Sequence, residues 1–157
     1  MISLTGSWKF ATGDDLRWSK SDYDDTKWES VHVPDIWISR GLPGSGRGWY
    51  RTWVIVNSAD SSEEASIVIR GMTNAGEVFW DGSFVGRRGS IAQDGGTETP
   101  GKGRYTYIHL GKMMTPGRHL LALRVVNSQS SSGGIGEGLD LGFSNILLMR
   151  DQRSRAV

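Results

Sequence analysis

The sequence has 157 residues, 37% hydrophobic and 22% charged, and its 18 basic and 17 acidic side chains leave a formal charge of +1. That is enough chain for one domain with a buried core and too little for a barrel enzyme of about 250 residues. The balanced charge offers no field to recruit nucleic acid or an anionic membrane. No apolar run approaches the ~18 residues of a spanning helix, and MISLTGSWKF lacks the basic-then-apolar pattern of a signal peptide. With no cysteine, disulfides, thiolate metal sites and a thiol nucleophile are excluded.

Glycine, at 22 residues, is about twice the usual ~7%, which disfavours long helices and favours tight turns. Seven tryptophans supply large contact area, to a core or to a ligand face.

Taken in chain order, the apolar spacing predicts strands. Short ones are expected over Ser7–Phe10 and Glu29–Val33. In Gly48–Val56, Trp49, Arg51, Trp53 and Ile55 share one side, and Tyr50, Thr52, Val54 and Val56 the other. Ser66–Gly71 is a β-branched run. Glu77–Gly86 places two aromatic arms around Asp81-Gly82, the pair a type I′ hairpin prefers. Arg104–Leu110 alternates, His119–Asn127 follows a Pro-Gly turn, and Ser144–Met149 is expected to be a last strand. Ile91–Gly103 and Ser128–Gly138 read as polar loops, and 150–157 as a linker after a domain over 1–149. Eight or so strands with no helix predict an all-β antiparallel sandwich with two sheets around a shared core.

Catalytic patterns are missing. His32, His109 and His119 lie in or beside separate strands without metal-ligand spacing, and no G-x-S-x-G occurs. The strings Gly44–Gly48 and Gly134–Gly138 feed no helix, so they read as plain loops rather than phosphate cradles. Asp14, Asp15, Asp22, Asp24 and Asp25 crowd together. Asp shapes turns by accepting from the backbone N–H two residues on, and a structural Ca²⁺ is the competing use of such a cluster. No general acid stands out, so catalysis on this chain is not expected. No other cofactor is indicated.

What remains is aromatic and polar loop chemistry. A sugar presents apolar C–H faces and a ring of hydroxyls, so its site needs flat rings beside Asp, Asn, Arg or Glu. Trp37 and Trp49 flank a glycine loop, Arg87 and Arg88 leave the hairpin, and Asn127 and Glu137 bracket the Ser-Gly loop. These six are the candidate ligand-binding residues. The competing use of each tryptophan is core packing.

Seven motifs occur in a telling order: L-T-G-S-W-K-F (Leu4–Phe10), Y-D-D-T-K-W (Tyr23–Trp28), V-P-D-I-W (Val33–Trp37), G-W-Y-R (Gly48–Arg51), E-V-F-W-D-G-S-F-V-G (Glu77–Gly86), L-A-L-R-V-V-N (Leu121–Asn127) and G-G-I (Gly133–Ile135). Over residues 4–149 this resembles the N-terminal sugar-binding domain of family 2 glycoside hydrolases, the β-galactosidase and β-glucuronidase group. The resemblance implies a galactose-binding-domain-like jelly roll. It also implies that the catalytic carboxylates reside on a separate barrel, and that a polar residue after L-A-L-R-V-V, here Asn127, reaches the substrate. A second resemblance is to extracytoplasmic sensory domains of bacterial histidine kinases and related membrane signalling proteins. It rests on W-K-F-x-x-G-D-D-x-x-W (Trp8–Trp18), E-V-F-W-D-G and V-G-R-x-G (Val85–Gly89).

The expectation is therefore a non-catalytic carbohydrate-binding or sensory module, the extracytoplasmic part of a larger signalling protein joined to membrane helices. An accessory domain of a family 2 hydrolase, or a purely structural docking domain, is the alternative. A binding module is expected to expose at least one indole among polar groups, and a scaffold a flat apolar patch. Replacing Trp37 or Asn127 by Ala is expected to weaken a millimolar sugar affinity, about 4 kcal/mol, and to leave the fold intact.

Overall fold

In a computed structural model the chain is described over residues 2–58, 65–72, 74–92, 99–127 and 133–143. Strands are β1 (Ile2–Ser3), β2 (Gly6–Thr12), β3 (Glu29–Val33), β4 (Asp35–Ile36), β5 (Gly46–Val56), β6 (Ala65–Met72), β7 (Ala75–Trp80), β8 (Ser83–Arg88), β9 (Tyr105–His109), β10 (Gly117–Asn127) and β11 (Gly134–Phe143). They form a six-stranded sheet, β3-β2-β5-β10-β7-β8, and a five-stranded sheet, β1-β11-β6-β9 with β4 also on β11; every pairing is antiparallel. This is the all-β antiparallel sandwich of two sheets expected from the alternation. The expected strand Ser144–Met149 and the linker 150–157 lie outside the described residues.

Alternation explains which side chains meet. Tyr50, Val54 and Val56 of β5 and Leu121, Leu123 and Val125 of β10 point inward. They share one core cluster with Ile67 and Ile69 of β6 and Leu139 and Leu141 of β11. Asp81 and Gly82 have φ of 51° and 86°, the left-handed pair a type I′ turn requires. The Asp81 carboxylate also accepts from Leu120 N–H at 2.8 Å and lies 2.6 Å from His119 Nδ1. The turn is thereby anchored to β10.

Two expectations are corrected. Gly134–Gly138 is the start of β11, with a bulge between Ile135 and Gly138, so that stretch is strand and not loop. Arg87 and Arg88 do not leave the hairpin; they are the last two residues of β8. Both errors arise where polar or glycine residues carry no apolar period although the backbone still pairs.

Candidate functional site

Register gathers several strand ends at one end of the sandwich. Asn127 lies opposite Gly46, Val125 opposite both Gly48 and Gly76, and Gly76 opposite Arg88. On the other sheet, Ile135 pairs with Met72 and with Asp35. A cleft of about 320 Å³ opens here, with an apolar wall of Phe10, Trp37, Leu42 and Pro43 and polar groups from Thr12, Ser45 and Arg47.

Trp37 is only 3% exposed. Its indole N–H donates to the Tyr50 hydroxyl at 2.8 Å, and that hydroxyl donates to Asp35 Oδ2 at 2.7 Å. Arg40 grips both oxygens of Asp35 at 2.6 and 3.0 Å, and donates to Glu29 at 2.9 Å. Burial and the carboxylate of Asp35 push the Tyr50 hydroxyl well above its ordinary pKa, which keeps it a proton donor in this chain of bonds. The glycine strings read as plain loops are in fact the walls of the indole's slot. A Cβ on Gly133 would come within 2.6 Å of Trp37, one on Gly48 within 3.1 Å, and one on Gly134 within 2.3 Å of the Asp35 carbonyl. Side chains at these positions would expel the indole.

Trp49 is fully buried on the outer face of the six-stranded sheet, stacked 5.5 Å from Phe79 and met edge-on by Trp18. Its N–H donates to Asp14 Oδ1 at 2.8 Å. The placing of Trp37 and Trp49 on an open ligand face is therefore corrected. Trp37 shows only an edge to the cleft, and Trp49 lies under the covering segment 13–28. Asn127, also buried, donates from Nδ2 to the Gly44 carbonyl at 2.7 Å, so this nitrogen fixes the cleft's rim.

The remaining candidates sit elsewhere on that end. Arg87 is exposed and faces Glu77 in the β7–β8 register. Arg88 donates to the Lys102 and Gly103 carbonyls and to the Thr106 hydroxyl. Glu137 accepts from Arg104 Nε at 2.7 Å. Trp37 and Asn127 are thus brought together through the Gly44–Gly46 turn, whereas Arg88 and Glu137 brace the turn before β9.

Asp14 departs from the turn-shaping use expected of its cluster: its carboxylate accepts from the side chains of Arg47, Trp49 and Arg124. Burial alone would raise its pKa, but hydrogen bonds from Arg124, Trp49 and Arg47 outweigh that and hold it at about 2. Arg124 bridges on to Glu77 at 2.7 Å. Asp25 accepts from Arg51 at 2.8 Å. Asp15 and Asp24 accept from the N–H groups of Arg17 and Thr26, two residues on, as expected of turn-shaping carboxylates. Among the described residues no group of three or more His, Cys, Asp or Glu could hold a metal; Asp14, Asp15 and Asp25 bind arginines. The Asp35 and Arg40 pair was missed, although V-P-D-I-W contains the Asp.

Chemically the cleft offers an aromatic edge, hydroxyls and one guanidinium, and no carboxylate among its lining residues. Glycosidic cleavage takes two carboxyl groups about 5–9.5 Å apart, one of them able to hold a proton. Asp14, bound to Arg47 beside the cleft, stays ionised and cannot donate one.

No family model matches the chain. A protein of Formosa agariphila, provisionally named a β-glucuronidase, is 25% identical over 147 residues, 83% of this chain and 13% of that protein. The β-glucuronidase of Bacteroides uniformis superposes with a TM-score of 0.71 at 20% identity, over 88% of this chain and 17% of that one. A glycosyl hydrolase family 2 member from Bacteroides cellulosilyticus does so with a TM-score of 0.70 at 18% identity, over 89% and 20%. The chain has the fold of one segment of these enzymes. It spans less than a quarter of the relatives it matches.

Proposed function

We propose that this chain is a non-catalytic accessory β-sandwich domain of a family 2 glycoside hydrolase, and that its cleft end helps frame a sugar pocket completed by the rest of that protein. The observation that carries this reading is the cleft itself: aromatic and hydroxyl-rich, seated beside Asn127, with its neighbouring carboxylates locked on arginines. The comparisons favour this hydrolase reading over the sensory one. They match an enzyme group and only a small share of each enzyme's length.

In this role Asn127 positions the Gly44–Gly46 turn. Ser45, Thr12 and Arg47 supply hydroxyl-binding groups, and the Trp37 edge and Phe10 supply apolar contact. The test has two arms. The 157-residue chain should not hydrolyse p-nitrophenyl β-glucuronide or β-galactoside. Glucuronate or galactose at roughly millimolar concentration should shift the amide resonances of Thr12, Leu42, Ser45 and Arg47. Turnover by this chain, or shifts that avoid those amides, overturns the reading.

A further inference from the structure

We propose a second carbohydrate site, remote from the cleft above: a stacking platform on Trp53 for an acidic polysaccharide chain. This goes beyond the accessory role and stands without it. Strands β2 and β5 are paired only from Lys9–Arg51 to Thr12–Gly48. Toward Gly6, β2 stays on β3 and parts from β5. The parting leaves two grooves of about 180 and 150 Å³, both lined by Ser7, Trp8, Thr52 and Trp53. The two grooves adjoin along these shared residues, with Trp53 between them.

Trp53 is 38% exposed, while Trp8, Trp37, Trp49 and Trp80 are buried. Its ring is held in place: the Arg118 guanidinium stacks 3.8 Å from the centroid. Arg118 belongs to β10, on the opposite side of β5 from β2. A ring fixed this way loses little freedom when a ligand stacks on it. Around it, Ser7 and Ser30 present exposed hydroxyls and Lys9 its ammonium. Asp25 is neutralised by Arg51 at 2.8 Å, so among the described residues Lys9, whose ammonium also reaches the Trp28 carbonyl at 3.5 Å, and Arg118 are the cations here without an ion-pair partner. Ammonium and guanidinium groups are both donors suited to a ligand's carboxylates. An apolar face flanked by hydroxyl donors suits a sugar ring, and the surplus positive charge selects a chain that carries acid groups. Trp53 lies seven residues along β5 from Gly46, about 23 Å at ~3.3 Å per residue, so the two sites are separate.

The test is affinity electrophoresis of the 157-residue chain through gels containing polygalacturonate, with a neutral β-glucan as control. Wild type should be retarded by polygalacturonate more than by the glucan. Trp53→Ala should weaken that retardation about tenfold, and Arg118→Ala a few-fold, with thermal midpoints close to wild type because the ring is exposed. Trp53→Tyr, which keeps a flat ring, should retain most of the binding and serves if the Ala variant does not fold. Absence of retardation overturns the proposal, as does equal retardation of Trp53→Ala or equal retardation by the glucan. A wild-type dimer in sedimentation that Trp53→Ala dissolves would assign the face to a second copy of this chain, and that also overturns it.

Discussion

The six-stranded sheet is covered on both faces around Trp49, by different means, and its outer face is open farther along β5 at Trp53 and Ile55. On its inner face, β5 and β10 share one buried cluster with the second sheet, Leu123 and Val125 together with Ile67 and Leu139. On its outer face no second sheet packs among the described residues. Trp49, Phe79 and Ala122 form a separate cluster with Trp18 and Trp28 packed on them, and those two rings come from the irregular segment 13–28. That segment is fastened by polar pins: Arg51 donates to the carbonyls of Trp18, Lys20 and Tyr23 and to Asp25, and Arg124 holds Asp14. A regular layer covers a sheet by repeating its own period. A loop has no period, so charge-assisted hydrogen bonds must specify where it lies.

The inner face should prove the more costly to damage. Trp37→Ala empties a slot whose glycine walls cannot collapse inward and leaves the Tyr50 hydroxyl short of one donor. Truncation of a buried Trp costs about 3–5 kcal/mol, to be read from urea unfolding of the variant against wild type. This reverses the expectation that the fold would survive the substitution. A loss under ~1 kcal/mol would show that the indole is not part of the core.

Arg51→Met comes next, because it keeps the buried stem and removes the pins. The carbonyls it served lose charged donors and Asp25 its partner, about 2–3 kcal/mol together. Hydrogen exchange distinguishes this from core damage. Amides of Leu16–Trp28 should exchange faster than in wild type, while those of Leu121 and Leu123 change only with global stability. Uniform loss of protection would mean that the outer cover and the inner core unfold as one unit, and the contrast between the faces would fail.

The inner face is also the part that a reader of the sequence can see. Alternation in β5 assigns Tyr50, Val54 and Val56 inward, the Asp81-Gly82 pair locates its hairpin, and Glu29–Val33 coincides with β3. These are local signals of period two or of one turn. The outer cover is not visible that way. Asp14 and Arg124 are 110 residues apart, and nothing local in G-D-D-L-R-W announces which arginine will meet which Asp. Trp49 was misplaced for the same reason, since its face is buried by a segment without a pattern. At the candidate site, glycine strings look alike whether they turn the chain or wall in an indole. Only the register that sets Gly133 and Gly48 against Trp37 tells them apart.

The smallest effect sharpens the comparison furthest, because it titrates one pin without mutation. Asp14 has a folded pKa of about 2, below its ordinary 3.8, because hydrogen bonds from Arg124, Trp49 and Arg47 overcome its burial. The folded state therefore holds this proton less tightly than the unfolded state does. Its contribution to stability is fully present above pH ~4 and is lost as the pH falls through about 2. The two values differ by 1.8 units (3.8 − 2), about 2.4 kcal/mol at most. Water reaches the carboxylate, and screening brings the figure to about 1 kcal/mol. Unfolding free energies from urea titrations should decline from pH 5 to pH 2 by about 1 kcal/mol more in wild type than in Asp14→Asn, which cannot titrate there. Parallel declines would mean that Asp14 does not hold the cover, and that Arg51 alone fastens segment 13–28 to the sheet.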